Sequence, residues 1–172
     1  MTDMRWFTDA AFYGDDWDAV LQEYGRHLDQ LMPSLSPRLA EFVSEPRLNL
    51  HDAEFRRVEI DQAARLVTIV VTTGYLQVGY RELKLRFTDA EVVPDNLQAL
   101  AYAVGARYHT DHWGDTITTI LYEELDRLPD DRFVLRLRLW PFYAFSVEFA
   151  EFELAEAPAG PHARTPGTLT FR

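Results

Sequence analysis

The chain has 172 residues, 47% hydrophobic and 13% aromatic, enough for one sizeable core without metal or disulfide staples. It contains no cysteine, which excludes thiol catalysis, disulfides and thiolate metal sites and suits a reducing compartment. Seventeen Lys and Arg against 28 Asp and Glu give a formal charge of −11, a field that opposes nucleic acid and anionic membrane surfaces and favours a basic protein partner.

The first residues, Met1-Thr2-Asp3-Met4-Arg5-Trp6, lack the basic and apolar stretches of a secretory signal. No run approaches the ~18 apolar residues of a membrane span. The expectation is a cytoplasmic protein. Asp15-Asp16 precede Trp17, Val20, Leu21, Tyr24, Leu28 and Leu31, which share one helix face, and Pro33 ends the pattern. His27 borders that stripe. Ser36-Pro37 reads as an N-cap followed by proline in the first turn of a short helix that ends before Pro46.

From Leu48 the period changes to two. Strands are expected over Leu48–Ile60, Leu66–Thr73 and Tyr80–Phe87, with Gly74–Gly79 as a hairpin connection and a β-bulge near Arg56-Arg57 to keep Phe55 and Val58 in phase. Pro94-Asp95-Asn96 opens a helix at Leu97–Val104, inserted near residues 95–104. Three further strands follow: Ile117–Leu125, Phe133–Leu139 and Phe145–Phe149. Matching parities in these hairpins put Glu123 on the core side with Leu121 and Leu125. They put Ile120, Tyr122 and Glu124 opposite Arg136 and Arg138, with Glu148 near the same arginines. A second bulge is expected near Ala150-Glu151. Together this predicts an α+β fold: an antiparallel, mostly meander sheet of about six strands with the N-terminal helices packed on it. Residues 1–154 form one domain, and 155–172, with three prolines, read as a loosely attached tail holding His162.

Three groups of residues could carry chemistry. His51-Asp52 could act as general acid and base, although strand neighbours diverge and a turn or strand-start histidine is the plainer case. Glu123 is a candidate catalytic acid or a structural anchor. Its expected donors are a tyrosine hydroxyl, His51 or an arginine, while Glu124 is expected as a surface ion-pair partner. His109, Asp111 and His112, in Tyr108–Trp113, have a spacing that could bind zinc or another divalent metal, although a loop without metal is the simpler assignment. No cofactor is otherwise implied. There is no Gly-x-Ser-x-Gly elbow, and Tyr80-Arg81 stand where a phosphate loop needs Lys and Ser/Thr.

Trp6-Phe7-Thr8, the segment Leu50-His51-Asp52-Ala53 entering a meander, and Leu121-Tyr122-Glu123-Glu124 on a late strand resemble an uncharacterised family of bacterial proteins over roughly residues 4–154. The resemblance implies a single α+β domain and assigns no functional residue. Two functions follow as expectations: a non-enzymatic acidic protein that binds a basic protein, immunity-type in its most specific form, or a metal-assisted hydrolase using the His/Asp cluster. Trp140, Phe142 and Tyr143 at one hairpin raise a third possibility, a homodimer.

Overall fold

A computed structural model of the chain describes residues 4–75, 77, 79–92, 98, 100, 101, 104, 119–140, 143–160 and 167–172. The fold begins with helices. Thr8 caps a five-residue helix, α1 (Asp9–Tyr13), by accepting from the Ala11 amide at 3.1 Å. The apolar stripe behind Asp15-Asp16 becomes α2 (Trp17–Leu31). Ser36 then caps α3 (Pro37–Ser44), whose Leu39 and Phe42 turn inward. α1 was not foreseen, because five residues give no periodic signal.

The strands are β1 (Glu54–Asp61), β2 (Leu66–Tyr75), β3 (Gly79–Thr88), β4 (Glu91–Val92), β5 (Ile120–Arg127), β6 (Phe133–Leu139), β7 (Tyr143–Phe149), β8 (Glu151–Ala159) and β9 (Thr168–Phe171). The class is α+β and mainly antiparallel. Among the described residues the strands make two sheets, of five strands in the order β8-β3-β2-β1-β9 and of four in the order β4-β7-β6-β5. Among the described residues only the β1–β9 pairing is parallel.

The chain changes sheets at Ala150. Phe149 ends β7, Phe152 sits near the start of β8, and both rings lie against Phe87, at 5.0 and 5.5 Å between centroids. The parity slip expected there as a bulge is thus a corner between sheets. The slip between Phe55 and Arg57 is a true register shift within β1. Residues 155–159 run on in β8, paired along β3, and Thr168–Phe171 pair with β1, so the segment expected as a loose tail supplies sheet edges. Its prolines and weak alternation hid this, since short edge strands bury few residues.

The two sheets pack face to face around Val58, Ile69, Val71, Leu83, Leu85, Leu125, Leu135, Leu137, Phe145 and Phe149. Gln98, Leu100, Ala101 and Val104 are helical, and Leu100 and Val104 join this core, as expected of the inserted helix. The outer face of the four-stranded sheet is also covered. There Met4, Trp6 and Phe7 form a second apolar cluster with Trp17, Val20, Tyr24 and Tyr122.

Candidate functional site

Trp6-Phe7, Leu50-His51-Asp52 and Tyr122-Glu123-Glu124 meet on β5. Tyr122 is paired with Arg138, Glu123 with Leu137 and Glu124 with Arg136, as the parity argument required. A register shift between Ile120 and Tyr122 turns Ile120 to the core opposite Leu139, against expectation. Glu148 also departs from expectation: it lies across from Val134, and its carboxylate is 3.7 Å from Arg132.

Glu124 is fully buried, which corrects its assignment as a surface partner. Its carboxylate accepts three consecutive backbone amides, from Arg5 at 2.8 Å, Trp6 at 2.7 Å and Phe7 at 2.6 Å. Strand parity placed it away from the inter-sheet core but could not show that a second layer covers that face. Next to it, Asp126 accepts from Arg5 at 3.1 Å and lies 3.2 Å from the His27 ring nitrogen and 3.5 Å from Arg136 as ion-pair neighbours. His27 is the expected boundary residue, its ring 4.3 Å from that of Trp6.

Glu123 accepts from the Leu50 amide at 3.4 Å and from its own amide, in place of the side-chain donors expected. Burial raises its pKa above the ordinary 4.5, opposed by those two amides and by the charge of His51. His51 and Asp52 occupy a turn before β1 and not a strand. Asp52 takes a left-handed φ of 61°, so the two side chains meet at 3.2 Å where strand neighbours would diverge. The Asp52 amide donates to Ile120 O at 2.8 Å and the Ile120 amide to Ala53 O at 3.1 Å, which ties this turn to the start of β5.

The structure therefore brings His51, Asp52 and Glu123 to one corner. His51 and Asp52 are nearly half and more than two-thirds exposed, so bulk water screens the pair and little low-dielectric strengthening is available for catalysis. They border an open cleft of about 540 Å³, whose Arg47 and Arg81 both pair with Glu156, Arg47 also meeting Glu41 and Glu45. Among the described residues no group of three or more His, Asp or Glu is placed to hold a metal ion. His109, Asp111 and His112 lie outside the described residues, as do Phe142 and His162.

On the other side of Tyr122 the surface is aromatic. Its ring lies 5.7 Å from His51, 5.1 Å from Phe7 and 5.0 Å from Trp17. Burial, and then the Asp52 charge, push its hydroxyl pKa up, which argues against a phenolate nucleophile. Phe7, Phe12, Tyr13, Tyr122 and Trp140 line a shallow depression flanked by the Asp9–Arg138 ion pair. Phe12, Tyr13 and Trp140 are 44%, 68% and 42% exposed. Sequence reasoning flagged Trp140 but missed Phe12-Tyr13. The available signal was an aromatic pair outside any apolar stripe, just before Gly14 and the aspartates.

Compared with family models, curated proteins and solved structures, the chain matches none. No helix among the described residues is long and apolar enough to cross a membrane.

Proposed function

We propose that this chain is a non-enzymatic binding protein that meets a basic protein partner through the corner around Tyr122. The observation that carries the reading is the joint exposure of Phe12, Tyr13 and Trp140 around one depression. Exposed large aromatics in a group, with Arg138 beside them and carboxylates at the rim, match the composition of binding hot spots. Asp9, paired with Arg138, lines the depression with Tyr122, and the charge of Asp52 reaches the Tyr122 hydroxyl; the net charge of −11 would steer a cationic surface toward this corner. Capping a basic toxin, as an immunity protein does, is the most specific form of this reading, and the cysteine-free composition suits a cytoplasmic setting.

The test is cross-linking mass spectrometry on wild type and on the Phe12→Ala/Tyr13→Ala variant, followed by binding of the purified partner at low and high ionic strength. A basic partner that loses roughly tenfold or more in affinity with the variant, and associates more slowly in salt, is expected. An acidic partner, or one held equally by the variant, removes the basis of the reading.

A further inference from the structure

We infer that Glu124 is the positioning residue of this aromatic surface, holding the backbone of Arg5–Phe7 and, through it, the short helix that displays Phe12 and Tyr13. The inference rests on the surface proposed above, but its test requires no partner.

Apolar burial alone does not fix this segment. Met4, Trp6 and Phe7 are nearly fully buried, yet apolar contact has no direction and tolerates a shifted register. The two oxygens of Glu124 supply the direction. Oε2 takes the Arg5 amide, and Oε1 takes both the Trp6 and Phe7 amides. Three successive amides converging on one carboxylate form an anion-binding nest, here filled by a side chain of the same molecule. A slip of one residue would carry the Phe7 ring away from Tyr122 and Trp17, which it meets at 5.1 and 5.5 Å.

The effect passes outward through adjacent residues. Thr8 follows Phe7 directly and starts α1 with both its hydroxyl and its carbonyl, accepting from the Ala11 and Phe12 amides at 3.1 and 3.0 Å. Phe12 then packs on Trp17 and Tyr13, at 5.9 and 5.2 Å. A five-residue helix has little stability of its own, so its orientation is inherited from what precedes it.

Glu124→Gln tests this with almost no change of shape. A glutamine offers one acceptor oxygen and turns an NH2 group toward an amide donor, so at least one of the three amides loses its partner. Left with its oxygen on Trp6 and Phe7, the glutamine turns that NH2 toward Arg5, so hydrogen exchange followed by NMR should show the Arg5 amide exchanging roughly tenfold to a hundredfold faster, with Ile69 and Leu85 unchanged. The Tyr13 ring signals should lose their fixed environment in the same sample. Unchanged exchange at all three amides, Arg5, Trp6 and Phe7, overturns the role of Glu124. Faster exchange there with Tyr13 unmoved overturns its extension to the surface. Should Glu124→Gln loosen the whole fold, Glu124→Asp, which keeps the charge and shortens the reach, is read against the same outcomes. Because every readout is partner-free, a failure here is distinct from a failure of the binding reading.

Discussion

The hydroxyl of Tyr24, on helix α2, accepts the backbone amide of Leu125 at 2.8 Å, so a helix side chain closes the edge of strand β5. Glu123 binds its own amide, and Asp126 accepts the Arg127 amide at 2.9 Å. The amides of 123, 125 and 127 are thus each met by a side-chain oxygen. An edge so occupied resists pairing with a strand from another chain. Tyr24→Phe strands the Leu125 amide in a partly buried position and should lower stability by about 1–2 kcal/mol, measured by denaturant unfolding. A loss near zero would mean that water replaces the hydroxyl.

Tyr24 also predicts an alkaline response. Burial raises its pKa above the ordinary 10.0; the charges of Glu123, Glu124 and Asp126 add to the rise, and the Leu125 bond opposes it. The unfolded chain releases this proton near pH 10 while the folded chain keeps it. Stability is then fully present below that pH and falls as pH rises further. Phenylalanine has no such proton, so the gap between wild type and Tyr24→Phe should narrow above pH 10. A gap constant from about pH 8 to 11 would contradict the assignment.

Glu123 carries a second linkage, at the acid end. Its raised pKa means that the folded chain holds the proton through a window beginning at 4.5 in which the unfolded chain has lost it. Its stabilising contribution is complete below that window and declines as pH rises through it. Glu123→Gln resembles the protonated form and keeps an acceptor for Leu50, so it should match or exceed wild-type stability at pH 7 and lose that advantage near pH 4. Glu123→Ala should instead cost about 1–3 kcal/mol at both pH values, by leaving the Leu50 amide unpartnered. Equal effects of the two substitutions would remove the polar-anchor role.

Alternation made the strand pairings legible. Phe133, Leu135 and Leu137 set the β5–β6 register correctly because one face of each hairpin packs against the other sheet. What alternation could not report is a second cover on the opposite face. Glu124 reads as an outward residue in sequence and is buried against the backbone of Trp6 and Phe7. The site was legible only in pieces. His51 and Asp52 were separated by strand geometry on paper, and a single left-handed residue brings them together. Phe12 and Tyr13 belong to a helix too short to leave a period.

Gly74 offers a test of the β2–β3 hairpin. Its φ is +110°, and a Cβ there would stand 2.2 Å from the carbonyl oxygen of Gly79, a backbone atom that cannot swing away. Gly79 has φ +82° with open space around the Cβ position. Gly79→Ala should therefore cost only the strain of a left-handed alanine, about 1–2 kcal/mol. Gly74→Ala adds a backbone clash and should cost distinctly more, about 3 kcal/mol or above. Thermal unfolding of the two variants gives the order directly, and the reverse order would show that the hairpin relaxes around the added methyl.

Asp52 separates backbone strain from recognition. A left-handed aspartate is tolerated, but alanine in the same conformation is not, and glycine adopts it freely. The Asp52 amide, which holds the turn to Ile120, survives any of these substitutions. Asp52→Gly should stay within about 0.5 kcal/mol of wild type, because relief of strain offsets the greater freedom of the unfolded chain. Asp52→Ala should lose about 1 kcal/mol through backbone strain alone. Both remove the same exposed carboxylate, so if Asp52 receives a basic partner, both should weaken binding to the same degree despite their different stabilities. Were affinity to follow stability instead, with Asp52→Gly binding as wild type and Asp52→Ala weakened, Asp52 would act only by shaping the turn.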